Sequence, residues 1–379
     1  MKILQVITSL YTGGAEKLIV DIVPRLQELG NEVDVCLFDG MNTPFREQLE
    51  AHGCRIYSFS NGGQVYNPLY IPKLWKLMRK YDIVHTHTTA PQFFAAVASK
   101  VLCPAVLVTT EHNTSNRRRD WKWYPLFIER WMYRQYQKVI NISDQAEENL
   151  RLYLSGSGFM VNGSRLRDNG NKNFQFENIC TIYNGVDVEL FHNAQPNKEL
   201  RNSTRRFVVV MVASFRSQKD QDTLIRAMSL LPKEEYELWL VGGGDREAII
   251  KQKVDDMGMN DNIKMFGIRM DVPSILKTAD VVVMSSHFEG LSLSNVEGMS
   301  AGKPFVASDV DGLREVTSGY GLMFPHEDAE ALANIIRHLH DDKEFYNQTA
   351  EKCYERACQF DITKMVNNYN EVYKSLLKK

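Results

Sequence analysis

The chain has 379 residues, too long for one ordinary hydrophobic core and suited to two. Hydrophobic content of 44% and charged content of 24% are ordinary for a globular protein. A formal net charge of −2 excludes a strong global field toward nucleic acid or an anionic membrane, so any basic patch must be local.

Lys2–Thr8 reads as an apolar strand broken by Gly13-Gly14. It is too short, and ends too abruptly in glycine, to read as a signal peptide. Ala15–Leu29 has helical periodicity and stops at Gly30. Strands then follow at Glu32–Phe38, Arg55–Phe59, Asp82–Thr86, Ala105–Thr110 and Lys138–Ile142. Helices at Phe45–His52, Pro72–Arg79, Gln92–Val101 and Tyr124–Tyr136 alternate with them. This order predicts a parallel sheet covered on both faces. Leu154–Gln175, rich in glycine and asparagine and carrying Arg165 and Arg167, breaks the pattern and reads as a surface loop. Ile179–Tyr183 is a further strand, Asn184-Gly185 a turn, and Asn193–Thr204 a polar linker.

The alternation restarts with strands at Phe207–Ala213, Glu237–Val241, Ile263–Phe266, Val281–Ser285 and Pro304–Ala307. Helices at Gln221–Leu231, Arg246–Met257, Val272–Thr278 and Asn295–Ala301 lie between them, and the chain is helical from Asp328. The fold class is therefore α/β, with two Rossmann-like domains in tandem facing a central cleft. Ligands are expected at the carboxyl ends of the strands. The six cysteines are scattered without a CxxC pair, as expected of reduced thiols in a cytoplasmic protein. No apolar run approaches the roughly 18 to 20 residues that a spanning helix needs.

The segment Ser285–Pro304 carries the densest chemistry. The strand Val281–Ser285 delivers Glu289 just past its carboxyl end, and a helix is expected to start near Ser294. Glu297 follows eight residues after Glu289, on that helix's first turn. Two acids so placed can grip sugar hydroxyls, while backbone N–H groups at a positive helix end can meet phosphate. The competing reading of Glu297 is structural: Ser294-x-x-Glu297 is a capping box that needs no ligand.

Acid, seven residues, acid, then Met299-x-Ala301-Gly302-x-Pro304 resembles the signature of retaining nucleotide-sugar glycosyltransferases of the GT-B fold, family four. Further matches follow in order: Gly13-Gly14-Ala15-Glu16, Asp82-Ile-Val-His85-x-His87, Glu111-His112, Asn184-Gly-Val-Asp187, Lys219-Asp220, Gly267-x-Arg269-x-Asp271 and Asp280. The resemblance spans nearly the whole chain. It implies a domain 1–185 on the acceptor side, completed by a carboxyl-terminal helix at about 362–379, and a donor-binding domain 186–361. It also implies that Glu289 holds the transferred sugar and Glu297 the ribose hydroxyls. Lys219 would neutralise the diphosphate, and Ile268 would meet the base through its backbone. The amides of Leu291, Ser292 and Leu293 would face phosphate and sugar. Gly14 would let backbone approach the donor phosphate, and His112 would stand near sugar and acceptor. The family's arginine is replaced here by Ser214, with Arg216 two positions on as its substitute.

Three motifs compete with this reading. Asp309-Val-Asp311 resembles a metal-binding DxD, but its loop is expected to be structural, and no resident metal or cofactor is expected. Gly242-Gly243-Gly244 lacks the acid of a dinucleotide site and reads as a turn. His85 and His87 lack a carboxylate pair and read as packing groups. Arg117–Arg119 lead into a segment bearing Trp121, Trp123, Tyr124, Phe127 and Trp131. That segment reads either as a core helix with a basic lead-in or as an interfacial patch for anionic lipid or a lipid-diphosphate acceptor.

The expected activity is metal-independent, retaining transfer of a sugar from a UDP- or GDP-linked donor to a glycan or lipid-linked acceptor. A nucleotide-sugar epimerase, which would convert donor without acceptor, is the rival enzyme. A non-catalytic sugar-binding protein would show no turnover.

Overall fold

The computed structural model describes residues 1–11, 13–100, 104–112, 126–156, 160–161, 164–165, 177–289 and 292–378. The chain forms two compact units, Met1–Asn184 with Ile362–Lys379, and Gly185–Asp361.

The first unit runs β1 (Lys2–Ile7), α1 (Gly14–Glu28), β2 (Glu32–Leu37), α2 (Pro44–Ala51), β3 (Ile56–Ser58), α3 (Tyr70–Met78), β4 (Ile83–His87), α4 (Thr89–Ala98), β5 (Val106–Glu111), α5 (Leu126–Tyr133), β6 (Lys138–Asn141), α6 (Asp144–Ser155), the small hairpin β7 (Met160–Val161) and β8 (Ser164–Arg165), and β9 (Ile179–Thr181). Its sheet has the order β3-β2-β1-β4-β5-β6-β9 and is parallel throughout. Its central strands are buried on both faces, which is why they read as near-continuous apolar runs.

The second unit runs α7 (Val188–His192), α8 (Lys198–Asn202), β10 (Phe207–Val212), α9 (Gln221–Ser229), β11 (Tyr236–Val241), α10 (Glu247–Asp256), β12 (Ile263–Met265), α11 (Val272–Thr278), β13 (Val281–Met284), α12 (Leu293–Ser300), β14 (Phe305–Ser308), α13 (Asp311–Thr317), β15 (Leu322–Phe324), α14 (Ala329–Asp341) and α15 (Lys343–Ala357). Its sheet has the parallel order β12-β11-β10-β13-β14-β15. The final helix, α16 (Ile362–Leu377), returns to the first unit. There Ile362, Met365, Val366, Tyr369 and Tyr373 join the core formed by α1, β1 and β2.

Four expectations change. α6 is absent from the pattern reading because its buried face is only Ala146, Asn149, Leu150 and Leu154. Its ends are nonetheless specified: Ser143 accepts from Ala146 N–H at 3.2 Å, and Gly156 closes it at φ +79°. The surface loop therefore starts after α6, and most of it lies outside the described residues. Asn193–Thr204 is no free linker. Asn197 caps α8, its N–H donates to Thr278 at 2.7 Å, and Arg201 pairs with Asp280 at 2.9 Å, fastening the segment to the second unit. The strand predicted at Asp82–Thr86 is β4, one residue later at each end, which puts His85 and His87 inside it. The short α13 and β15 carry too few residues for a periodic signal. Among the described residues no helix is long and apolar enough to cross a membrane.

Candidate active site

In each sheet the strand order reverses once, between β1 and β4 and between β10 and β13. Loops leaving the two central strands there diverge, which makes the carboxyl edge at that point the favoured ligand position.

At the β10/β13 point the loop after β10 brings Lys219 against the loop after β13. The two loops form an antiparallel bridge at Lys219 and Ser286, with Asp220 N–H donating to Ser285 carbonyl at 3.0 Å and His287 N–H to Gln218 carbonyl at 2.9 Å. This clasp places the Lys219 ammonium on the Glu289 carboxylate, with side-chain exposures of only 13% and 7%. Ser286 hydroxyl donates to the same oxygen at 2.7 Å, and Gln218 amide to the other at 3.3 Å. Glu289 is thus nearly buried. It is held by a cation and two neutral donors, because the clasp lowers it into the strand edge. Ser286 and Gln218 were invisible to sequence reasoning, since nothing in their spacing shows that two loops pair.

Past Gly290 and Leu291, which lie outside the described residues, Ser292 occupies the N-cap position of α12 and Leu293 opens the helix. The capping box expected at Ser294 does not form. Ser294 lies inside the helix, the N-cap Ser292 makes no side-chain cap bond, and Glu297 is the fifth helical residue, past the first turn. Glu297 is half-buried. The positive end of α12 thus has no side-chain cap from Ser292.

The turn Gly242-Gly243-Gly244 packs against the segment after β10. A Cβ on Gly242 would fall 2.0 Å from Ala213 carbonyl oxygen, and one on Gly244 2.4 Å from that of Phe215. Gly242 N–H donates to Gly267 carbonyl at 2.8 Å, tying the turn to the loop after β12. In that loop Ile268 is 75% exposed. Arg216 is exposed on the segment after β10.

The competing motifs resolve locally. Arg314 reaches Asp309 at 2.6 Å and Asp311 at 2.9 Å, so the DxD pair is an ion-pair cluster about its own loop. Asp220, His287 and His326 form one group of potential metal ligands among the described residues. Asp220 already caps α9 through Thr223 N–H, and the two imidazoles are hydrogen-bonded to each other at 2.9 Å. Arg117–Arg119, Trp121, Trp123 and Tyr124 lie outside the described residues, whereas Trp131 packs against the core of the first unit.

At the β1/β4 point of the first unit, Gly14 opens α1. Among the described residues, its chain neighbours and own helix backbone aside, a Cβ there would meet no atom within 4 Å. Thr88, directly after β4, holds φ +72°, a strained value for a β-branched residue, and its hydroxyl lies 2.7 Å from that of Thr8 after β1. His112 follows β5 and is half-buried. Its Nε2 lies 2.9 Å from His87 Nδ1, and burial pushes its pKa down to about 4, against an opposing pull from Glu111.

Residues 12–156 match the family model described as Glycosyltransferase Family 4, and residues 192–356 match Glycosyl transferases group 1. The Escherichia coli UDP-Gal:alpha-D-GlcNAc-diphosphoundecaprenol alpha-1,3-galactosyltransferase is 25% identical over 79% of this chain and 77% of its own length. The structure of HepE from Anabaena in complex with UDP superposes with a TM-score of 0.80 at 24% identity, covering 99% of this chain and all of that one. The same protein in complex with UDP-glucose gives 0.79. These superpositions show the fold. With two family models in tandem along most of its length and a Rossmann-like parallel sheet in each unit, this chain belongs to the family 4-like GT-B glycosyltransferases.

Proposed function

We propose that the protein transfers a hexose from a UDP- or GDP-linked donor to a glycan or lipid-linked acceptor with retention of configuration, in polysaccharide or glycolipid synthesis. The observation that carries this reading is the Lys219–Glu289 pair at the β10/β13 point. It offers a cation for a diphosphate and a carboxylate for sugar hydroxyls at one spot. A bound donor would divide the pair, its phosphate taking Lys219 and its hydroxyls taking Glu289. Arg216 and the N–H groups of Leu291, Ser292 and Leu293 would add to the phosphate field, with no metal in the site. Ile268 and Glu297 would take base and ribose, Gly14 the donor phosphate, and His112 the transferred sugar. The acceptor hydroxyl would enter on the face that the diphosphate leaves. The named activity of the Escherichia coli relative, UDP-sugar donor and diphosphoundecaprenol-linked acceptor, supports the donor and acceptor classes.

A thermal-shift screen against nucleotide sugars tests the reading. A ligand at 100 times its dissociation constant adds about 2.7 kcal/mol of stability. The true donor should raise the melting temperature of the wild type, and Glu297→Ala should need roughly tenfold more of it for the same shift, the cost of a lost interaction of about 1.4 kcal/mol. No stabilisation by any nucleotide sugar would remove the donor assignment. Product formed without acceptor would indicate an epimerase instead.

Gly14→Ala gives a separate check. The position is helical and sterically open, so alanine should leave the fold intact or stabilise it by about 0.4 to 1 kcal/mol. Donor affinity should nevertheless fall, because the added methyl would stand where phosphate must approach. An unchanged donor dissociation constant in calorimetry would take Gly14 out of the site.

A further inference from the structure

A row of hydrogen bonds runs through the first unit beneath its β1/β4 point. His112 Nε2 lies 2.9 Å from His87 Nδ1, and His87 Nε2 lies 2.7 Å from Gln5 Oε1 on β1. Gln5 Nε2 donates to the Tyr373 hydroxyl of α16 at 3.5 Å. That hydroxyl lies 2.5 Å from His85 Nδ1, and His85 Nε2 lies 2.8 Å from Thr110 Oγ1. Gln5, His85, His87 and Tyr373 are fully buried, and the two strand imidazoles lie with centroids 4.2 Å apart, tilted by 37°.

A neutral imidazole has one donor and one acceptor nitrogen, so the sense of any one link dictates its neighbours. Burial keeps these rings neutral. It pushes His85 down to about 3, helped by His112, and holds His87 well below its ordinary value, helped by His85 and His112. The Gln5 amide then sets the sense of the row. Its oxygen faces His87, so His87 carries its proton on Nε2 and accepts at Nδ1. His112 must therefore donate from Nε2 and keep a bare Nδ1. On the other side Gln5 donates to Tyr373, Tyr373 to His85 and His85 to Thr110. Every link agrees with a single direction from His112 to Thr110.

We propose that Gln5 and Tyr373 are positioning residues that act through His87 to hold His112 in the tautomer with an unprotonated Nδ1. The carboxyl-terminal helix would thereby decide what His112 offers a ligand: a hydrogen-bond acceptor for a hydroxyl of the transferred sugar or of the acceptor. This rests on the assignment of His112 to the sugar, and it explains why a helix from the far end of the chain places a tyrosine hydroxyl within the sheet. Among the described residues no partner faces His112 Nδ1, so the row ends at this half-buried ring.

The test uses the full chain labelled with ¹⁵N-histidine, whose nitrogen shifts distinguish the two neutral tautomers. His112 is identified by the signal lost in His112→Ala. The wild type should show a single tautomer at His112 with Nδ1 bare. Tyr373→Phe, which removes only the hydroxyl, should give a mixed-tautomer signal. It should also lower kcat by about twofold or more with donor KM unchanged, since equal populations halve the competent form. Gln5→Met cuts the row at its centre and should give the same signature, which covers failure of either variant to fold. A wild type with Nδ1–H, or a His112 signal unmoved in a folded variant, overturns the proposal. A tautomer change with transfer unaffected leaves the row standing and removes His112 from the sugar site.

Discussion

Lys219→Met should lower transfer by on the order of 10² to 10³, the usual cost of removing one preorganised donor from a developing negative charge. Here that charge is the departing nucleotide diphosphate. The structure adds a second consequence. The Glu289 carboxylate, with a side chain only 7% exposed, would lose its cation and keep only Ser286 and Gln218. Leaving one member of a buried pair uncompensated costs about 3 to 5 kcal/mol, so the melting temperature should fall as well. The double variant Lys219→Met with Glu289→Gln separates the two effects. Its neutral amide needs no cation, so stability should largely return while activity stays low. Recovery of activity to the level of Glu289→Gln alone, along with stability, would show that Lys219 only supports the loop clasp.

Glu289→Gln alone should reduce turnover at least about tenfold, since a transition-state interaction of roughly 1.4 kcal/mol already corresponds to that. A carboxylate that accepts sugar hydroxyls makes charge-assisted bonds roughly twice as strong as neutral ones, and the amide does not. Affinity for the bare nucleotide diphosphate should be unchanged or tighter. The substitution removes the anion that competes with phosphate for Lys219, while the amide oxygen can still hold the ammonium. Calorimetry with the nucleotide diphosphate alone, beside a transfer assay, measures both. Full activity, or a loss of bare-nucleotide affinity matching the loss of turnover, would show that Glu289 serves something other than the sugar.

Both predictions turn on residues that local sequence could name but not arrange. β1, β2, β4 and β5, like β10, β11 and β13, are legible because strands buried on both faces need uninterrupted apolar side chains, and turns between them need glycine. The two acids stand out because strand ends and helix starts are where ligands meet backbone, whereas Lys219 and Gly14 were singled out by the resemblance to the family. The tertiary structure decided three further points. It closed Lys219 on Glu289 through the pairing of two loops about 70 positions apart, a long-range contact without a periodic signature. It denied Ser294 its cap by starting α12 at Leu293, two residues before the expected Asn295, with Ser292 at the N-cap position. It also brought Tyr373 to His85 across 288 positions, because α16 needs an apolar face to cover and finds it on the first unit. His85 and a polar Gln5 in apolar strands, and Tyr369 with Tyr373 one helical turn apart, were the traces of that contact in the sequence. Burial turned those traces into a row, since a buried polar group must find a partner wherever the chain can supply one.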